Sequence, residues 1–146
     1  MVYLGADHAG FELKEALAGY LSARGEEFQD LGAHALEPHD DYPSYAVAVA
    51  RAVAADADSC GILVCDTGIG MDIAANKIPG VRAALVHDEF SAKRAREHND
   101  ANVLVLGAEA VSGHQAGKLA DLFLETPFSG DERHIRRLKQ IREVEA

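Results

Sequence analysis

Cysteine is scarce in this chain of 146 residues, which holds only Cys60 and Cys65. They stand five apart across one apolar run. On a strand, an odd spacing sends side chains to opposite faces, which argues against a disulfide between them. Long hydrophobic runs are also missing: none approaches the roughly 18 residues of a membrane span. Met1 leads straight into the strand-like Val2-Tyr3-Leu4, so no signal peptide is expected. Reduced thiols in a cytoplasmic chain are the simplest expectation. Positive charge is short as well. Lys and Arg total 14 against 24 Asp and Glu, a net charge of -10. That balance argues against a nucleic-acid partner or an acidic membrane.

The cations that do occur crowd one end, as Arg133, Arg136, Arg137, Lys139 and Arg142. A solvated helix face and an anion site both account for such a crowd. The length suits one domain, 1–146, with a core large enough to need no staple.

Strand and helix patterns alternate throughout. Strands are expected at Val2–Ala6, Glu27–Asp30, Gly61–Cys65, Ala83–His87 and Val103–Gly107. Helices are expected near Phe11–Arg24, Tyr45–Ala55, Gly70–Asn76, Phe90–Glu97, His114–Leu124 and His134–Glu145. The runs Ile62-Leu63-Val64 and Val103 to Leu106 lack alternation, as strands covered on both faces do. Leu13, Leu17, Tyr20 and Leu21 fall at helical spacing as a buried stripe, and Gly25 is placed to end that helix. The pattern predicts an α/β fold built on a doubly wound, five-stranded parallel sheet. In such folds ligands bind beyond the carboxyl ends of the strands. Asp7 and His8, Cys65 and Thr67, and His87 and Asp88 are therefore the polar groups to weigh. The longest loop is expected at Gly32–Pro43.

Several stock motifs are absent. Gly68-x-Gly70 is followed by Ile73 where a dinucleotide fingerprint needs a third glycine. No Gly-Lys-Ser/Thr phosphate loop occurs, and Met71 stands where a phosphatase Cys would need its Arg six residues on. A serine nucleophile elbow is missing too. What is present is Cys65-Asp66-Thr67-Gly68-Ile69-Gly70, a thiol and a hydroxyl at a strand end beside a glycine turn that opens a helix. A thiol ionises near pH 8.5 in water, and at lower pH beside cations or a helix N-terminus. A buried structural cysteine is the competing reading. Asp7-His8 before a helix reads either as a cap or as an anion site. His98-Asn99-Asp100 reads either as a helix stop or as chemistry. His34, His39, His87 and His114 are expected on the surface, and no histidine pair has convincing metal spacing. His87-Asp88 with His39-Asp40-Asp41 is the only weak metal constellation.

Taken together, five segments resemble one family. They are Gly5-Ala6-Asp7-His8-Ala9-Gly10-Phe11-x-Leu13-Lys14, Asp41-Tyr42-Pro43, Cys65-x-Thr67-Gly68-x-Gly70, Ile73-Ala74-Ala75-Asn76-Lys77 and Glu97-His98-Asn99-Asp100-Ala101-Asn102. In this order they resemble type B ribose-5-phosphate isomerase, a family that also includes the galactose-6-phosphate isomerase subunits. The resemblance implies a Rossmann-like three-layer αβα sandwich whose C-terminal helix packs on the partner subunit. It implies a homodimer with shared sites, with pairing of dimers left open. It also implies aldose–ketose interconversion of a sugar phosphate without metal or cofactor.

Carried over by position, Cys65 would be the base between C1 and C2, and Thr67 would move protons at the sugar oxygens. The turn at Asp66, Gly68 and Gly70, with Asn99, would hold the enediolate. His98, with Asp7, would open the sugar ring, and His8, Arg133 and Arg137 would bind phosphate. Asp66 departs from the small residue usual there, and Asp72 adds a second nearby carboxylate. Some relatives use a glutamate just after the turn, where this chain has Met71. Ribose 5-phosphate is the expected substrate. Allose 6-phosphate or galactose 6-phosphate, and a non-catalytic sugar-phosphate-binding module, are the alternatives.

Overall fold

A computed structural model describes residues 1–145. The elements are β1 (Val2–Ala6), α1 (Phe11–Ala23), β2 (Phe28–Asp30), α2 (Tyr42–Ala55), β3 (Cys60–Cys65), α3 (Ile69–Ala75), β4 (Ala83–Leu85), α4 (Glu89–Glu97), β5 (Val103–Gly107), α5 (Gly113–Glu125) and α6 (Glu132–Glu143). The strands form one parallel sheet in the order β2-β1-β3-β5-β4.

Two-sided burial explains the unbroken apolar runs. Ile62, Val64, Leu104 and Leu106 face a core completed by Leu13, Leu17 and Leu21 of α1, Ala92 of α4, and Leu119 and Phe123 of α5. Leu63, Cys65, Val103 and Val105 face the other way, onto Val49 and Val53 of α2 and Met71 of α3. Cys60 packs against the first core and Cys65 lies in the second, and both thiols are free, as their odd spacing requires. Burying each large side chain contributes about 1.5–3 kcal/mol, so the two cores hold three layers together.

The chain leaves β1 for β2 on one side and returns to β3 on the other. That reversal opens a crevice at the carboxyl ends of β1 and β3. Lys14 braces this region from below. Its side chain is 1% exposed, and its ammonium is paired with Asp30 and, at 2.8 Å, with Glu15. A buried charge needs such partners. Asp30 Oδ1 in turn accepts the Gly32 N–H at 2.8 Å, which sets the exit of the chain from β2.

Three expectations need correction. Tyr20 is not part of the buried stripe of α1. It is 37% exposed, its ring lies across Gly117, and its hydroxyl donates to Asp121 at 2.5 Å. The second helix starts at Tyr42, not Tyr45, because Pro43 is tolerated in a first turn whose N–H groups need no helical acceptor. The fourth strand ends at Leu85 and does not reach His87. After Val86 donates to Val105, Asp88 turns the chain and caps α4. Gly25, with φ +73°, closes α1 as expected, and Glu26 N–H bonds back to Leu21.

Candidate active site

The β1–β3 register pairs Ala6 with Val64, so Asp7 stands beside Cys65 at adjacent strand ends, roughly 5 Å apart along the backbone. Asp7 is 5% exposed, and its Oδ1 accepts the Gly10 N–H at 3.1 Å. Asp7 is not the cap of α1, whose N-cap is Gly10 without a side-chain bond; its bond to Gly10 closes the turn before the helix and fixes the carboxylate in the crevice. His8 follows. Its backbone N–H and its ring Nδ1 both reach Asp40 Oδ1, at 3.0 and 2.7 Å. The bond to Asp40 pushes the His8 pKa above the ordinary imidazole value, and the nearby carboxylates of Asp7, Asp40 and Asp66 add to the shift. Burial opposes ionisation of Asp40, but the two bonds from His8, with the Tyr45 hydroxyl and the His8 charge, outweigh it and hold its carboxyl below the usual range.

At the end of β3 the Gly68 N–H donates to Cys65 Sγ at 3.2 Å, and the Ile69 N–H donates to Thr67 Oγ1 at 3.3 Å. The Thr67 hydroxyl proton is thereby left for another acceptor. The turn depends on its glycines. Gly68 has φ +80°, and a Cβ there would collide with Leu85 and come 3.1 Å from the Leu106 carbonyl carbon. A Cβ on Gly70 would lie 2.6 Å from Tyr42 Cε2, so the Tyr42 ring roofs the turn. Asp66 and Thr67 are exposed. Asp72 is pushed above the usual carboxylate range by burial, and its Oδ1 is buried without a hydrogen bond.

His98, Asn99, Arg133 and Arg137 lie elsewhere. Helix α4 starts at the carboxyl edge, where Asp88 and Ser91 form a reciprocal cap, and ends at His98 on the amino edge. The loop beyond is held firmly. Asp100 adopts φ +44°, and Arg82 Nε donates to the carbonyls of Asn99 and Asp100 at 3.2 and 2.9 Å. Asn102 accepts the Arg82 N–H at 2.8 Å and donates to the Gly80 carbonyl at 2.9 Å. Arg96 adds an ion pair to Asp100 at 3.1 Å. The start of α6 docks here, with the His134 ring stacked on that of His98 at 4.2 Å. Arg133 and Arg137, four apart on α6, share a face. Since β3 spans its six residues between the two edges, the His98 group and Cys65 are separated by roughly 16 Å within one chain.

The structure therefore brings together Asp7, His8, Cys65, Asp66, Thr67, Gly68 and Gly70 in one group. It places His98 and Asn99 with the basic start of α6 in another, and it does not join the two. Sequence patterns assign no site role to Tyr42 or His134, and none beyond a weak metal site to Asp40. Tyr42 stands inside a family-like motif and His134 between two arginines, while Asp40 figures in the sequence only as part of the weak metal constellation His39-Asp40-Asp41.

Among the described residues, one set of side chains has metal-like spacing: ligand atoms of Asp7, His8 and Asp40 lie within 4.8 Å of one another. His8 Nδ1 and Asp40 Oδ1 are already bonded to each other. His87-Asp88 does not join this loop, because Asp88 caps α4. Beside β4, α4 and α6 runs a groove of about 840 Å³ lined by Val81, Leu85, Phe90, Leu138, Ile141 and Val144. Phe90, Ile141 and Val144 are 68%, 46% and 82% exposed.

A parallel sheet with a thiol, an imidazole and a glycine turn at its switch point defines a small-molecule α/β enzyme class. Residues 2–141 match the family model described as Ribose/Galactose Isomerase, and the chain belongs to that family. It is 42% identical over 144 residues to the ribose-5-phosphate isomerase B of Mycolicibacterium paratuberculosis, covering 99% of this chain and 91% of that one. Among solved structures, the type B ribose 5-phosphate isomerase of Trypanosoma brucei is 49% identical, with TM-score 0.92 and coverage of 99% and 97%. The Mycoplasma genitalium ribose-5-phosphate isomerase B, solved with bound ribulose-5-phosphate, is 40% identical, with TM-score 0.93 and coverage of 97% and 93%.

Proposed function

We propose that this chain interconverts ribose 5-phosphate and ribulose 5-phosphate, and that it works as a homodimer with composite active sites. Each site takes Asp7, His8, Cys65, Thr67 and the Gly68–Gly70 turn from one chain, and His98, Asn99, Arg133 and Arg137 from the other. The observation that carries this reading is the division of these residues between opposite edges of the sheet. A two-fold partner supplies the missing half to each crevice. The exposed apolar groove between α4 and α6 supports it, since such a patch marks an association surface, with α6 packing on the partner.

In the mechanism, His98, with Asp7, moves the proton that opens the furanose. The Cys65 thiolate takes the proton from C2 of the aldose and returns it to C1. Thr67 passes the hydroxyl proton between O2 and O1, so the reaction is balanced without an external oxidant or reductant. The enediolate charge falls on the Gly70 amide, the Gly68 and Ile69 amides being held by Cys65 Sγ and Thr67 Oγ1, and on Asn99. Oriented donors of this kind lower a barrier by about 2.7–4 kcal/mol each. His8, Arg133 and Arg137 hold the phosphate, guanidinium forks suiting a dianion.

The base must stay a free thiol, which fits a reducing cytoplasm. Among the described residues no helix is long and apolar enough to cross a membrane. The chain forms a single domain, and its partners are a sugar phosphate and a second copy. Purified protein offered ribose 5-phosphate, allose 6-phosphate and galactose 6-phosphate, with ketose formation followed directly, tests the reading. Turnover of the five-carbon substrate is expected. Selective turnover of a six-carbon phosphate, or binding without turnover, overturns it.

A further inference from the structure

We propose that Asp40 is the positioning residue of the phosphate subsite, fixing His8 through two hydrogen bonds to one carboxylate oxygen so that Nε2 is presented to the ligand. This rests on the reading of His8 as a phosphate ligand and adds to it a residue from a distant loop.

The loop is tied to the strand that carries His8. Between β2 and α2, Leu31 N–H donates to the Leu4 carbonyl at 2.9 Å and Ala33 N–H to the Ala6 carbonyl at 2.7 Å. Asp40 ends this loop with its side chain 10% exposed, whereas the His8 side chain is 40% exposed. One edge of the imidazole is thus committed inward and the other is open. A carboxylate only accepts, so the 2.7 Å bond places a proton on Nδ1 and leaves Nε2 as the atom that meets a ligand. The backbone bond at 3.0 Å holds the main chain of the same residue, so the ring is fixed at both its base and its edge.

The second oxygen, Oδ2, is buried and has no hydrogen-bond partner. An ionised carboxylate in that position is costly without an adjacent cation, and the His8 imidazolium is the cation within reach. The groups facing His8 are Asp40 from the loop, Asp7 from its own turn and Asp66 from the turn after β3, with Tyr45 of α2 beside Asp40. Among the described residues all of these are acidic or neutral. A carboxylate set of this kind favours the charged imidazole, and the fixed ring offers a dianion an N–H whose direction is already set, so little rotamer freedom is lost on binding.

The test compares Asp40→Asn, Asp40→Ala and His8→Ala. Asparagine keeps the shape and an acceptor oxygen but removes the charge, and it serves if the alanine variant fails to fold. Asp40→Ala is expected to raise KM for ribose 5-phosphate about tenfold, with kcat changed far less. Competitive inhibition by inorganic phosphate should weaken by a similar factor. In Asp40→Asn, the pH at which phosphate inhibition fades should move down, because His8 loses its proton earlier. Nitrogen NMR should show a proton fixed on His8 Nδ1 in the parent and exchange between both ring nitrogens in Asp40→Ala. A fall in kcat and thermal stability with an unmoved phosphate pH profile would make Asp40 merely structural and overturn the proposal. If His8→Ala weakens phosphate inhibition while neither Asp40 variant does, Asp40 alone is refuted. If His8→Ala leaves phosphate inhibition intact, the reading of His8 itself fails and the proposal with it.

Discussion

His98 and His134 lie face to face, their ring centroids 4.2 Å apart and their planes 19° from parallel. His134 is 4% exposed, and its Nε2 is buried without a hydrogen bond. Burial, followed by the charges of His98, Arg133 and Arg137, holds its pKa below the ordinary imidazole value of 6.5. The folded chain therefore binds fewer protons here than the unfolded chain in the window between the two values. The stability this group contributes is present above the ordinary value and is lost as pH falls through the lowered one. His134→Phe, which keeps a flat ring on His98, is expected to flatten the acid-side decline of the urea midpoint. An unchanged decline removes His134 as its cause.

Cys65→Ala removes the proposed base but only trims a buried side chain at a strand end. Ketose formation should fall by about 10²–10⁴-fold. The melting temperature should move by only a few degrees, as about 1 kcal/mol does in a domain of this size. Near-normal turnover in this variant excludes the thiol as base.

The proposed composite sites make a complementation experiment decisive. Cys65→Ala and His98→Ala chains, each inactive alone, should regain activity when coexpressed. A mixed dimer contains one site with both residues and one with neither. Random pairing should then restore about a quarter of the parental activity. No recovery in verified mixed dimers means that each site is built within one chain.

Gly68→Ala places a Cβ at φ +80° and against Leu85. Left-handed backbone alone costs about 1–2 kcal/mol per non-glycine residue. The collision adds to that and displaces the amide that meets Cys65 Sγ. Denaturant unfolding should show a loss of at least this size, with turnover reduced together with stability.

Asn102→Ala strips two hydrogen bonds, one from the Arg82 amide and one to the Gly80 carbonyl. Both groups can turn to water, so each lost bond costs about 0.5–1.5 kcal/mol. The loop carrying His98 and Asn99 should loosen, lowering kcat more than it changes KM. Steady-state kinetics beside a thermal scan checks the pair of effects.

Much of this architecture is legible before any coordinates. Val2–Ala6 and Val103–Gly107 are assigned to the residue, because strands covered on both faces become unbroken apolar runs between turn signals. The Cys65–Gly70 turn is equally visible, since only glycine fits its φ of +80° at Gly68. Where the structure departs from these patterns, local chemistry explains it. Pro43 can enter a helix at its first turn, and a helical spacing that includes Tyr20 does not say whether a neighbouring helix covers it. The Asn76 and Asn102 side chains, which the sequence shows only inside motifs, staple the ends of β4 and β5.

Residue order alone determined the alternation of strands and helices, the chemistry gathered at the end of β3 and the family to which the chain belongs. Those features arise from hydrophobic periods and turn preferences that act over a few neighbouring residues. Tertiary structure alone decided that Asp40 grips His8 across 32 positions, and that His98 ends on the edge of the sheet opposite Cys65. Distances of that kind depend on strand order and on the direction each helix runs across the sheet. Both are settled only when all the apolar faces are buried at once.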